Sequence, residues 1–186
     1  MRHALIAFCT LMIATFSISL AQADEFLTIE LKSGDVVIKL RSDVAPKHVE
    51  RIKTLATDGE YNNVAFHRVI DGFMAQTGDV KFGDMEDGFA PNRAGTGGSS
   101  KPNLPAEFSD IPYERGVVGM ARSQNPNSAN SQFFIMFKEG RFLDGQYTVI
   151  GEVVSGMEFV DGIKRGVGQS GAVENPDRMI SVRVGK

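Results

Sequence analysis

The residues able to do chemistry are few in this chain, and their types exclude most reaction classes. Of three histidines, only His48 and His67 lie beyond the N-terminal apolar run, and the single cysteine, Cys9, lies inside that run. A thiol nucleophile and a His-rich metal site are therefore not available beyond it. No Gly-x-Ser-x-Gly elbow occurs, and Gly97-Gly98-Ser99-Ser100-Lys101 lacks the Gly-Lys-Ser/Thr order of a phosphate loop. Asp79, Asp84, Glu86 and Asp87 match no calcium-loop spacing and read as a solvated acidic segment. What remains is the stretch Phe66-His67-Arg68-Val69-Ile70-Asp71-Gly72-Phe73-Met74-Ala75-Gln76-Thr77-Gly78-Asp79. It offers a permanently charged guanidinium, a long amide and large apolar side chains, the equipment for binding and polarising rather than for covalent chemistry.

Strand alternation puts Phe66, Arg68 and Ile70 on one side of this stretch and His67 and Val69 on the other. His67 thus reads as a structural, hydrogen-bonded histidine. After a turn at Asp71-Gly72, Met74 and Gln76 share a face. In Ser131-Gln132-Phe133-Phe134-Ile135-Met136-Phe137, one face takes Phe133, Ile135 and Phe137, and the other takes Gln132 and Phe134. Gathered on an outer face, Arg68, Met74, Gln76, Gln132 and Phe134 make an apolar patch with a few long polar donors, which is the character of a peptide-binding surface.

The elements that must position these residues are mostly short strands. Phe26–Leu31 and Val36–Leu40 flank Ser33-Gly34-Asp35 and read as a hairpin. Further strands are expected at 64–70, 73–77, 116–121, 132–137, 147–153 and 179–184. A helix opens at Ala45-Pro46, carries Val49, Ile52 and Leu55 on one face and ends at Gly59. A second is expected over Met157–Lys164, with Gly162 inside it. Gly78–Pro112 holds ten Gly and Pro residues; so long a loop beside the best motif is expected to be functional. The fold class is mainly β, a sandwich or a filled barrel. Bulky strand faces argue against an open-cored small-ligand barrel.

The motifs Phe66–Asp79, Gly95–Gly98, Met120–Ser123, Asn130–Ile135 and Phe142–Gly145 resemble, in order and spacing, those of the cyclophilin family of peptidyl-prolyl isomerases. The resemblance spans the chain beyond the apolar run. It implies a closed eight-stranded antiparallel β-barrel with two short helices capping its ends. It also implies catalytic roles for Arg68, Phe73 and Gln76, and no cofactor or metal. Met74, Phe134 and Leu143 would line a proline pocket with Phe73. Ala121 and Arg122 would hold the substrate chain, Gln132 would order that shell, and Gly95 would border a neighbouring subsite. Phe142 stands where the best-known eukaryotic members have tryptophan, Tyr147 where they have histidine, and Arg122 where they commonly have asparagine. Loss of the indole N–H implies weak binding of cyclosporin-type cyclic peptides with turnover retained. The alternative is a non-catalytic, proline-peptide-binding chaperone module of the same fold.

Composition sets the setting. Residues 1–23 begin with basic Arg2, continue through an apolar run and close on Ala21-Gln22-Ala23, the pattern of a secretory signal peptide. The expected mature chain, residues 24–186, is one domain and by default a monomer, exported to the periplasm or beyond. Its net charge is about −4, from 19 basic and 23 acidic residues, which argues against nucleic-acid or membrane-surface partners; no second apolar span is read in it as an anchor. Its expected partners are proline-containing segments of folding proteins.

Overall fold

The computed structural model describes residues 25–185, so the expected signal peptide lies outside the described residues. The strands are β1 (Phe26–Leu31), β2 (Gly34–Leu40), β3 (Arg68–Ile70), β4 (Met74–Thr77), β5 (Val117–Met120), β6 (Phe133–Met136), β7 (Val149–Ser155) and β8 (Ser181–Gly185). The helices are α1 (Pro46–Thr57) and α2 (Met157–Asp161), with 3-10 turns at Pro126–Ser128 and Arg141–Leu143. All eight strands form one sheet in the order β3-β4-β6-β5-β7-β2-β1-β8, with every neighbouring pair antiparallel.

The expected closed barrel is corrected to an open, curled sheet. β3 and β8 stand at its two ends and do not pair. Across the gap, Val64 O accepts from Met179 N at 3.0 Å, Phe66 N donates to Asp177 O at 2.8 Å, and Ala65 and Arg178 form an isolated bridge. A ladder cannot grow there, because Asn175 has φ +50° and Pro176 has no N–H to donate. The sheet curls with help from register shifts at Val37/Ile38 and Val118/Gly119, where β2 and β5 meet β7.

Alternation divides the apolar residues into two clusters. Leu27, Ile29, Ile38, Val118, Phe133 and Ile135 point into the curl, where α1 contributes Val49, Ile52 and Leu55 and the α2 region contributes Val160 and Ile163. Met74, Tyr113, Val117, Phe134, Met136 and Leu143 pack on the outer side of β4, β5 and β6. Phe66 departs from its expected side. It joins the interior cluster with Val69, since the regular strand begins only at Arg68 and strict alternation does not reach back to it. Gly162 closes α2 instead of sitting within it.

The long segment 78–112 has neither helix nor strand, yet it is tied down throughout. Asp79, fully buried, accepts from the backbone N–H groups of Lys81, Phe82, Gly95 and Gly97 at 2.7–3.1 Å. It is thus no solvated acid. Asn130 Oδ1 accepts from Ser99 N and Oγ, and Arg51 donates to Pro102 O. At the far end, Glu107 accepts from Lys47 N and His48 N, serving the start of α1, which Ala45 cannot cap.

Both histidines among the described residues are buried. His48 Nδ1 donates to Glu107 Oε2 at 2.7 Å, and its Nε2 has no partner among the described residues. His67, expected to be hydrogen-bonded, has none at either ring nitrogen among the described residues. Burial holds both rings below the usual histidine range; the Glu107 hydrogen bond for His48, and the Asp79 charge for His67, pull the other way without overcoming it. Below pH ~6.5 the unfolded chain therefore binds protons that the folded chain does not, and stability falls as pH drops. The urea midpoint should be lower at about pH 5.5 than at about pH 7.5; an equal or higher midpoint at the acid end would contradict this reading.

Candidate functional site

Register lines up the site. Arg68 pairs with Gln76, Gln76 with Phe134, and Phe134 with Gly119, so one cross-strand row on the outer face crosses β3, β4, β6 and β5. Arg68 Nη1 donates to Gln76 Oε1 at 3.1 Å, and its Nε donates to Ser170 O at 3.1 Å. Gln76 Nε2 passes the chain on to Gln132 Oε1 at 2.9 Å, and Gln132 Nε2 donates to Gly97 O at 2.7 Å. Gly97 N in turn is held by Asp79. Each amide has its orientation fixed by what it must give to one neighbour and take from the other.

Beside the row is a pocket of about 280 Å³ lined by Arg68, Phe73, Met74, Gln76, Ala121, Arg122, Phe134, Phe142, Leu143 and Tyr147. Met74, Phe134 and Leu143 are buried and form its floor. Phe73 and Phe142 form a wall, their ring centroids 5.5 Å apart, and Phe142 is 66% exposed on the 3-10 turn at Arg141–Leu143. Tyr147 meets Phe134 edge-on at 5.8 Å, and the Arg122 guanidinium lies 4.3 Å from the Tyr147 ring centroid. That guanidinium also donates to Gln146 O, so Arg122 is fixed at the rim by stacking and a main-chain contact.

Ten of the twelve expected site residues thus meet in one pocket. The other two, Gly95 and Gln132, line an adjoining polar pocket of about 660 Å³, which shares Gln76, Ala121 and Arg122 with the first. A peptide crossing from one to the other would pass along the Ala121-Arg122 backbone.

The Arg68 charge is left unneutralised. Its acceptors are a carbonyl, an amide and, at 3.9 Å, the Met74 thioether, all neutral, and no carboxylate lies within ion-pair distance of it among the described residues. Partial burial lowers its affinity for a proton, but a guanidinium stays protonated. With part of its hydration removed, its field on a bound group is stronger than in water.

Supporting residues escaped the sequence reading. Tyr113, fully buried, stacks on Phe134 at 5.8 Å from below, and burial pushes its phenol far above the usual range. Gly119 makes room for this stack: a Cβ there would lie 2.4 Å from the Tyr113 hydroxyl and 2.6 Å from Phe134 Cζ. A glycine inside a strand is the signal that could have marked it. Ser170 had no local signal, since Arg68 is 102 residues away, and Asp79 takes only two of its four donors, Lys81 N and Phe82 N, from nearby.

Among the described residues no group of three or more His, Cys, Asp or Glu could hold a metal, and no helix is long and apolar enough to cross a membrane. The profile of the cyclophilin type peptidyl-prolyl cis-trans isomerases matches residues 26–184. A Brucella suis protein named "probable peptidyl-prolyl cis-trans isomerase" is 63% identical over 167 residues, covering 89% of this chain and 85% of its own. The peptidyl-prolyl cis-trans isomerase-like 1 of Emericella nidulans is 38% identical, covering 72% of this chain and 78% of its own. Among solved structures, a Cryptosporidium parvum cyclophilin type isomerase, crystallised in the presence of the dipeptide Ala-Pro, has a TM-score of 0.74 at 26% identity and covers 87% of this chain and 99% of its own. The curled sheet, its outer-face pocket and these matches place the chain in the cyclophilin-type peptidyl-prolyl cis-trans isomerases, a family of enzymes.

Proposed function

We propose that the protein accelerates rotation about X–Pro bonds in exported, folding proteins, with Arg68 stabilising the twisted imide. One observation carries this reading: a charged guanidinium with neutral acceptors stands at the edge of a pocket of about 280 Å³ whose floor is Met74, Phe134 and Leu143. Rotation must overcome a resonance barrier of about 18–20 kcal/mol, and no bond is made or broken on the way. In the planar imide the nitrogen lone pair is delocalised. In the twisted form it is localised and basic, so a cation aimed at it binds the twisted form better than either planar one. Such differential binding lowers the barrier, and about 5–7 kcal/mol of it gives roughly 10⁴–10⁵ in rate.

The remaining residues divide the work. Phe73, Met74, Phe134 and Leu143 grip the proline ring while Phe142 and Tyr147 close the sides. Gln76 and the Ala121-Arg122 backbone hold the chain, with Gln132 and Gly95 continuing the track into the adjoining pocket. One part of the substrate is thereby fixed while the other turns. The reading of export rests on residues 1–23 and their small-residue end at Ala21-Gln22-Ala23.

Arg68→Ala should remain folded and lose about 10²–10³ in kcat/KM in a protease-coupled or NMR exchange assay on an Ala-Pro peptide, the usual effect of deleting one preorganised donor. Full activity in the folded variant would refute the mechanism and favour another device at this pocket. Cyclosporin should bind weakly, and Phe142→Trp, by restoring an indole donor, should tighten it up to about tenfold by calorimetry; no gain would clear Phe142 of responsibility. Sequencing the N-terminus of exported protein should begin at Asp24, and material still starting at Met1 would end the export reading.

A further inference from the structure

The catalytic role of Arg68, on which this inference depends, leaves open what aims its guanidinium. The strand that carries Arg68 is three residues long and lies at the end of the sheet. Its free edge is covered by a glycine-rich segment, residues 166–173. Val69 N donates to Gly171 O at 2.7 Å, Gly166 N donates to Val69 O at 2.9 Å, and Val173 N donates to His67 O at 3.2 Å. These main-chain bonds bracket Arg68, and an isolated bridge joins Arg68 itself to Ala172. The segment is thereby held where Ser170 O meets Arg68 Nε, across 102 residues of sequence.

Close approach depends on Gly171. Its φ is +68°, a region that side chains rarely adopt, and a Cβ there would lie 2.4 Å from Ile70 Cγ1 and 3.1 Å from Val69 O. Any larger residue would push the segment off β3 and withdraw the Ser170 carbonyl.

We propose that residues 166–172 are a positioning element for isomerisation: the Ser170 carbonyl orients the Arg68 guanidinium, and Gly171 is the residue that permits the contact. The two oxygen acceptors take different edges of the guanidinium, Met74 Sδ lying 3.9 Å from the same Nη1 that Gln76 holds. Ser170 O holds Nε, Gln76 holds Nη1, and Nη2 has no acceptor among the described residues. Two-point holding by neutral groups fixes the plane while leaving a charged N–H to face a substrate nitrogen. The proline pocket itself takes no residue from this segment, so its loss should spare binding.

The test is kcat and KM on an Ala-Pro peptide, from NMR exchange. Gly171→Ala should lower kcat about 10- to 100-fold with KM nearly unchanged, while Glu174→Ala, at an exposed side chain just past the segment, leaves both alone. In an Arg68→Lys background, which has no Nε–H to be held, Gly171→Ala should cost almost nothing more. An unchanged kcat in Gly171→Ala, or the same loss in both backgrounds, would overturn the proposal. If Gly171→Ala does not fold, the wild-type Arg68 Nε–H signal decides: protected from solvent exchange supports the contact, and exchange as fast as in free arginine refutes it. A fully active Arg68→Ala would instead remove the role of Arg68 itself, so the two failures are told apart.

Discussion

Register is the constraint on which everything at the site rests. Arg68, Gln76, Phe134 and Gly119 belong to four strands and meet only because each pairing holds them in one row. A slip of one residue between β4 and β6 would turn Phe134 into the interior and bring Phe133 out. The interior cluster resists that slip, since Phe133 and Ile135 are buried within it. The core thus secures the site through the backbone it shares with it, without touching the pocket.

The outer face gains its rigidity from a second apolar layer. Tyr113 lies beneath Phe134, Met136 and Val149 pack beside it, and the pocket floor is the exposed surface of this small core. Placing a cation on such a floor without a carboxylate partner costs hydration energy. The structure limits this cost with a carbonyl and an amide, which satisfy N–H groups but do not cancel charge. A carboxylate in place of Gln76 would form a stable pair and cancel the cation's field.

The legible parts of the sequence were those governed by local periodicity. Phe133, Ile135 and Phe137 alternate with Phe134 along a regular strand, and Met74 and Gln76 do the same, so their sides follow from position alone. Phe66 was misassigned because the same rule was carried past the end of β3. Eight strands could be counted, but counting them does not reveal whether the end strands pair, and the absence of a ladder between β3 and β8 was invisible in composition. Asp79 read as a surface acid because its four donors come from residues up to 18 positions away. The pocket residues were legible chiefly through family resemblance; periodicity alone gave an outer face with Arg68 and Phe134 on it, and no proline.

The Asp79 carboxylate has a consequence for how this surface can change. It grips residues 81 and 82 on one side and 95 and 97 on the other, so it closes the base of the segment between them like a drawstring. What hangs beyond that base need not be any particular length for Gly97 to meet Gln132, because lengthening an already closed loop adds only a slowly growing entropic cost. The exposed stretch at Asp87-Gly88, past the bonds that tie Gly83 to Ala65 and Met85 to Asn63, is therefore a natural splice point, where a foreign recognition loop could be grafted while the row keeps its geometry.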